Sequence, residues 1–385
     1  MVVHIITRLA MGGAQQLVYE IAKRMHQTNR DVIIFTGLSH TKKSLSALDN
    51  NILEAVYREK IPVEVIPYLN DKISLINDIK SLFKICALLR KYNPSVVHIH
   101  SSKTGILARL ACKLMNVKNV IYHVHGWFFS RTHGWVRKFY IFLEKLFYNL
   151  TDKYIFVCKQ DVIDFIDLGG NAQIKLKSHI IYPGVDFLAL DKQKIYRTNL
   201  RNKLGFSDND HVIGTVGRLD FQKNPQIFIE IANKYSKLDS DAKFLWIGKG
   251  AYKEDLEKEL DELGFSDRFI LPGYIEDVEP YFSVFDTFIL TSRYEGLPLT
   301  VLKSLVCGIP VVAYLVNGIN DLSKKFKMVY GVKPFFIDDF SDKLVDAKQL
   351  LKTNKKIIEK ETKFIRENFH LNNMYDNIIK VYDSN

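Results

Sequence analysis

Residues 212–237 read VIGTV, then GRLDFQKN, then PQIFIEIANKYSK, and this stretch decides the fold. Val212 to Val216 is a short apolar run rich in β-branched residues, the composition of a buried strand. Gly217 to Asn224 is polar, and Pro225 stands where proline opens a helix that runs to Lys237. Phe244 to Ile247 then supplies a second strand. Strand, loop, helix and strand make one βαβ unit, whose two strands lie parallel with the helix packed across them.

The alternation continues in both directions. Downstream come a helix from Lys253 to Leu263 and strands at Phe269–Leu271, Thr287–Leu290 and Val311–Ala313. Upstream it pauses near Tyr182-Pro183-Gly184-Val185-Asp186, where a polar, basic stretch extends to about Ser207. Before that pause it runs back to the first residues. Val2 to Ile6 is a strand, Met11-Gly12-Gly13 a breaker, and Ala14 to Met25 a helix with Leu17, Val18, Ile21 and Met25 on one face. Strands follow at Val32–Phe35, Val63–Ile66, Val96–Ile99, Val120–Val124 and Tyr154–Val157. An amphipathic helix from Ser74 to Leu89 closes at Lys91 and Asn93-Pro94. The last thirty residues are helical and charged. The class is α/β, with two doubly wound, mainly parallel sheets covered on both faces. A chain of 385 residues is also longer than one core usually serves. The expected division is 1–184, 185–365, and a final helix over 366–385.

Composition narrows the function. With 47% hydrophobic and 25% charged residues the chain is an ordinary globular one. Its longest apolar run, Leu305 to Val316, is too short to span a bilayer, and the first residues lack the pattern of a secretory signal. Cys86, Cys112, Cys158 and Cys307 are scattered without a CxxC pair, against a disulfide framework or a zinc site and in keeping with a reducing cytoplasm. Residues 1–185 hold 25 Lys and Arg against 13 Asp and Glu, whereas the remainder holds 29 against 30. The net charge of +11 therefore belongs to the N-terminal half, which implies an anionic partner there, such as a phospholipid surface or a lipid phosphate. The charge alone would also suit nucleic acid, but no recognition motif accompanies it and no nucleic-acid partner is expected.

Ligands of such sheets bind beyond the carboxyl ends of the strands, so the loops there carry the chemistry. Glu295-Gly296-Leu297-Pro298-Leu299-Thr300 follows a strand and opens a helix, whose free N–H groups favour phosphate. Glu295 either accepts bonds from sugar hydroxyls or caps that helix. In Gly217–Asn224, Arg218 offers a planar fork and Lys223 a compact charge, together able to neutralise a departing diphosphate as a metal would. Gly12-Gly13 is not a dinucleotide fingerprint, yet small residues opening a helix suit a sugar phosphate. His98, His100, His123 and His125 alternate along two strands, and a period of two puts both histidines of each strand on one face. No acid lies near in sequence to orient a metal, so no metal and no resident cofactor is expected. His125, followed by Gly126 at a strand end, is the one placed to reach a ligand. Trp127-Phe128-Phe129 and the helix from Trp135 to Tyr148 combine aromatics with Arg131, Arg137, Lys138 and Lys145. This suits a membrane interface, and equally a helix burying its aromatics in the core. Asp208-Asn209-Asp210 and Asp239-Ser240-Asp241 read as loop acids.

Taken together, these motifs resemble family 4 of the retaining glycosyltransferases over nearly the whole chain. The resemblance is carried by the Gly-Gly opening, His125-Gly126, Pro183-Gly184-Val185-Asp186, VGRLDFQKN, WIGKG, LPGYIEDV and SRYEGLPLTVLKSLVCGIPVV, in that order and spacing. It implies a GT-B fold, two Rossmann-like domains facing each other across a cleft, with the final helix returning to the N-terminal domain. It implies that Arg218 and Lys223 hold the diphosphate of a nucleotide-sugar donor, with UDP as the expected carrier. Glu295, Gly296, Leu297, Pro298 and Leu299 would meet the transferred sugar, and His125 would lie near it. Gly273, Tyr274 and Ile275 would meet the base, and Gly13 would approach the diphosphate. The relatives it most resembles extend a polyprenyl-diphosphate-linked saccharide at the cytoplasmic membrane face, in capsule or surface polysaccharide synthesis. Hexosyl or N-acetylaminosugar transfer is the implied reaction, and a peripheral place on the inner membrane face the implied location. One position departs from the family pattern. A second glutamate usually stands eight residues after the first, and here that residue is Lys303, which donates where a carboxylate would accept ribose hydroxyls. That departure prompts an alternative, a catalytically impaired nucleotide-sugar-binding protein on the same fold.

Overall fold

The computed structural model describes residues 1–10, 12–38, 51–191 and 195–384. Met11 of the glycine breaker lies outside them. The chain divides into two units, Met1–Gly184 with Leu371–Asn385, and Val185–His370.

In the first unit, β1 (Val2–Arg8), α1 (Gly13–Gln27), β2 (Val32–Gly37), α2 (Asn51–Arg58), β3 (Val63–Ile66), α3 (Leu75–Tyr92) and β4 (Val96–His100) alternate. They are followed by α4 (Ser102–Leu114), β5 (Val120–Val124), α5 (Gly134–Phe147), β6 (Lys153–Phe156), α6 (Lys159–Asp167) and β7 (Ser178–Ile180). The seven strands are parallel in the order β3-β2-β1-β4-β5-β6-β7. Val3, Ile5, Val97, Ile99 and Tyr122 point into one core with Ile85 and Leu89 of α3 and Ala108 and Cys112 of α4. Alternation then sends His4, His98, His100 and His123 to the opposite face.

The second unit holds α7 (Leu188–Asp191), α8 (Arg197–Lys203), β8 (His211–Val216), α9 (Pro225–Tyr235), β9 (Ala242–Ile247), α10 (Lys253–Glu262) and β10 (Phe269–Gly273). After these come β11 (Thr287–Leu290), α11 (Leu299–Val306), β12 (Val311–Tyr314), α12 (Asn317–Lys325), β13 (Val329–Val332), α13 (Ile337–Thr353) and α14 (Lys355–Asn368). Its parallel sheet runs β10-β9-β8-β11-β12-β13. In both sheets the order reverses beside the first strand, between β1 and β4 and between β8 and β11. Those are the switch points where open α/β sheets bind ligands.

The C-terminal helix α15 (Leu371–Asp383) belongs to the first unit. Tyr375 Oη lies 3.1 Å from Thr28 Oγ1, Tyr382 Oη lies 2.6 Å from His98 Nδ1, and Lys153 Nζ donates to Val381 O at 2.9 Å. The expected boundary at 366 is corrected to 371. Residues 366–370 stay with the second unit because Arg366 donates to Val306 O and pairs with Asp191, while Val185 N donates to Phe369 O. Among the described residues no helix is long and apolar enough to cross a membrane.

Candidate active site

The loops leaving β8 and β11 at the second switch point are laced together. Thr291 Oγ1 donates to Lys223 O at 2.9 Å, Arg293 N to Gln222 O at 2.9 Å, and Gln222 Nε2 to Tyr294 O at 3.0 Å. Arg293 also reaches Asn224 Oδ1 at 2.9 Å and stacks on the Phe221 ring, its guanidinium carbon 4.3 Å from the centroid. Asn224 takes a left-handed conformation, φ 56°, and Pro225 then starts α9. Asp220 braces the loop from within, accepting from Lys223 N at 3.0 Å and pairing with Arg218 at 3.0 Å.

This lacing brings Lys223 and Glu295 together. Lys223 Nζ donates to Glu295 Oε1 at 2.6 Å, with side-chain exposures of 15% and 10%. Glu295 is therefore not spent as a helix cap, and α11 opens at Leu299, four residues later, with Pro298 ahead of it. Arg218 differs from Lys223, since its side chain is 58% exposed and held by Asp220 and Gln222. The site thus has one sheltered cation locked to a carboxylate and one exposed cation beside it. Lys223, through Glu295, is tied to the loop that leads into α11, a helix whose first N–H groups favour anions.

Gly296 is fixed by its carbonyl, which accepts from Gly318 N at 2.9 Å. A Cβ on Gly318 would lie 2.5 Å from that carbonyl oxygen, so only glycine allows this approach. Gly248, at φ +150°, packs closer still to Gly217 O, where a Cβ would come within 1.9 Å. Gly273 ends β10 at φ +81°, and Tyr274 and Ile275 follow it half-buried. The chain then enters the short helix Glu279–Val284, whose Glu279 forms an ion pair with Lys303 of α11. Lys303 is thus matched by an acid of its own unit. Glu279, Gln222, Arg293 and Asn224 were not singled out in the sequence. Gln222 and Asn224 lay in the quoted run VGRLDFQKN and Arg293 in SRYEGLPLTVLKSLVCGIPVV, whereas Glu279 lay in no quoted run.

In the first unit, Gly13 begins α1, at the switch point after β1. Thr7 Oγ1 there bonds Ser101 Oγ at 2.6 Å and Thr104 Oγ1 at 2.7 Å, joining the ends of β1 and β4. His125 stands just beyond β5, half-buried, and is not alone. His4 pairs in register with His98, and His100 with His123, so that five imidazoles form one layer. His4 Nδ1 lies 3.0 Å from His100 Nε2, and His100 Nδ1 lies 3.0 Å from His125 Nε2. Burial pushes His4 and His125 down to about 3 and His98, His100 and His123 well below the usual range, so all five are neutral at pH 7. Triads His4-His98-His100 and His100-His123-His125 bring their ring nitrogens within 4.8 Å of one another, the one grouping among the described residues that could hold a metal. Among the described residues the only ionisable groups acting on His98, His100 and His123 are other histidines, so no carboxylate balances a dication.

The aromatic run divides between its two readings. Trp127 and Phe129 are core residues, Trp127 Nε1 donating to Asp161 O at 2.8 Å, which corrects the interface reading for them. On α5, Trp135, Phe139, Phe142 and Leu146 are exposed along one stripe, Trp135 to 77%. Leu75, Ile76, Ile79 and Phe83 of α3 are exposed as well. The two acidic loops bind their own chain. Asp239 holds His211 at 2.9 Å and Lys348 at 2.5 Å, and Asp210 accepts from Ser207 N at 2.7 Å.

Comparison with known proteins adds a second line. Residues 196–364 match the model for glycosyl transferases group 1, and residues 11–187 that for Glycosyltransferase Family 4. The chain is 35% identical over 286 residues, 73% of either chain, to the UDP-Gal:alpha-D-GlcNAc-diphosphoundecaprenol alpha-1,3-galactosyltransferase of Escherichia coli. It is 28% identical over 188 residues, 46% of this chain and 31% of the other, to the Vi polysaccharide biosynthesis protein VipC/TviE of Salmonella typhi. Among solved structures, Anabaena Alr3699/HepE in complex with UDP-glucose is similar in fold, with a TM-score of 0.79 at 17% identity over 98% of each chain.

Proposed function

The chain belongs to the group 1 and family 4 glycosyltransferases, and on that premise we propose that it moves a sugar from a UDP-sugar to a polyprenyl-diphosphate-linked saccharide, with retention and without metal, in capsule or surface polysaccharide synthesis. The observation that carries this reading is the Lys223–Glu295 pair at the switch point of the second unit. A diphosphate reaching Lys223 displaces Glu295 from the ammonium, and the freed carboxylate accepts hydroxyls of the sugar. Arg218 and the first N–H groups of α11 share the charge that builds as the diphosphate leaves. The bond from the sugar's anomeric carbon to the diphosphate breaks while the acceptor hydroxyl attacks from the same face. Its proton passes to the departing phosphate oxygen, and no covalent nucleophile is assigned. His125 near the sugar and Gly13 near the diphosphate are assigned by family resemblance.

A lipid-linked acceptor is supported by the activity for which the E. coli relative is named. The excess of basic residues over 1–185 and the apolar stripes of α3 and α5 support an anionic membrane surface as partner. The protein is offered UDP-galactose, UDP-glucose or UDP-N-acetylglucosamine with N-acetylglucosaminyl diphosphoundecaprenol in vesicles, in the presence of chelator. Mass spectrometry is expected to find one added sugar and NMR an α linkage. Binding of UDP without product from any donor favours the non-catalytic alternative that Lys303 prompts. Turnover that appears only with magnesium contradicts the metal-free step.

A further inference from the structure

Neutral imidazoles joined in a chain each carry one ring proton, and all must point the same way along it. In the chain His4–His100–His125 the contacts use Nδ1 of His4, both nitrogens of His100, and Nε2 of His125. The unused nitrogens are Nε2 of His4 and Nδ1 of His125. His4 Nε2 is buried with no hydrogen-bond partner among the described residues, whereas His125 is only partly buried at its strand end. If every proton sits on Nε2, the chain ends in a buried N–H with nothing to accept it. If every proton sits on Nδ1, it ends in a buried lone pair, which is tolerated better than an orphaned donor.

We propose that His100, backed by His4, is a positioning residue that holds His125 in the tautomer protonated at Nδ1, so that His125 meets its ligand as a hydrogen-bond donor. In that register His4 Nδ1–H donates to His100 Nε2, and His100 Nδ1–H donates to His125 Nε2. The lone pair of His125 is thereby occupied inside the layer, and His125 cannot serve as a general base through Nε2. Nor is the layer a proton conduit, because its inner end stops at the buried Nε2 of His4. A donor of fixed direction suits a hydroxyl or phosphate oxygen, and this part rests on the reading of His125 as a ligand contact. The same rings do not suit a dication. Both ring nitrogens of His100, the histidine shared by the two triads, are already bonded to neighbouring rings, and among the described residues no carboxylate acts on the layer.

The test is two-bond proton–nitrogen correlation NMR on full-length protein labelled with ¹⁵N in its histidine rings, with His125 identified by the signal lost in His125→Gln. The wild type is expected to show His125 with a protonated Nδ1 and a bare Nε2, in about tenfold excess over the other tautomer. His100→Phe keeps a ring of similar size and removes the donor, and is expected to collapse that excess towards the Nε2–H form favoured by free imidazole. A wild-type His125 protonated at Nε2 overturns the proposal, and so does an unchanged ratio in folded His100→Phe. Should His100→Phe fail to fold, the wild-type spectrum decides alone. One equivalent of Zn²⁺ is expected to leave the spectrum unchanged, and loss of the ring N–H signals on zinc uptake would replace the tautomer lock with a metal centre. If no UDP-sugar binds and the tautomer is as stated, only the assignment of the ligand falls.

Discussion

Glu295 and Lys223 neutralise one another across 2.6 Å, so a diphosphate must compete with a carboxylate already in place. This makes the side chains around the pair as important as the pair. Lys303 stands where the family pattern has a glutamate, and it is held by Glu279. Lys303→Glu sets two carboxylates side by side and is expected to lower stability by about 0.5–1 kcal/mol, the range of a partly exposed ion pair. Adding Glu279→Lys should restore the melting temperature, and a double variant no better than the single would show that the two charges do not couple. Gly318→Ala pushes a methyl against Gly296 O and the Leu297 backbone. Such crowding costs about 1–3 kcal/mol and should also weaken UDP binding by moving the loop that carries Glu295. A variant with unchanged melting temperature and affinity would show that the Gly296 turn is not constrained this way.

At the scale of elements, the strand–loop–helix alternation was legible because central strands are buried on both faces and read as short apolar runs. The edges were not. Ser178–Ile180 (β7) and Val329–Val332 (β13) are short and only partly buried, and Gly331 interrupts the second, so neither shows a run or a period. The site loops were legible as runs such as GRLDFQKN and EGLPLT, because glycine and charge after a strand are local signals. The Glu279–Lys303 pair was not, since it joins a short helix to α11 through loop geometry that no spacing encodes. The histidine layer was half legible. The period of two placed His98 with His100, but His4 joins only because β1 lies against β4 in the sheet order. Helix α5 needed its packing as well, because Trp135, Phe139, Phe142 and Leu146 read alike whether turned inward or outward. Their exposure predicts that Trp135→Ser with Phe142→Ser lowers partition into anionic vesicles about tenfold or more, each buried aromatic being worth roughly 1.5–3 kcal/mol. Co-sedimentation unchanged by the double substitution would remove α5 from the membrane surface.

Over the whole molecule, charge and chemistry are divided between the units. The N-terminal half carries the positive excess and the neutral histidine layer, and the second unit carries the Lys223–Glu295 site. The layer makes the first unit sensitive to acid. His4, His98, His100 and His123 have native pKa values below their unfolded value near 6.5, so below that pH the unfolded chain binds more protons. Their contribution is complete above pH 6.5 and is lost progressively as pH falls below it, at about 1.4 kcal/mol per pH unit for each histidine that must charge. Tyr382 of α15, which faces His98, stays neutral throughout that range because burial raises it. Amide exchange in β1, β4 and β5, corrected for its intrinsic pH dependence, should therefore show less protection at pH 5.5 than at pH 7.5. Equal protection at both would contradict neutral burial of the layer. The central claim, that the laced loops after β8 and β11 hold the diphosphate of a nucleotide sugar, is tested most directly by calorimetric titration of UDP in chelator. Wild type should bind without added metal, and Lys223→Ala should lose about 1.5–3 kcal/mol, the scale of a charge-assisted hydrogen bond. Equal affinity in the two proteins would place the diphosphate elsewhere and contradict the account.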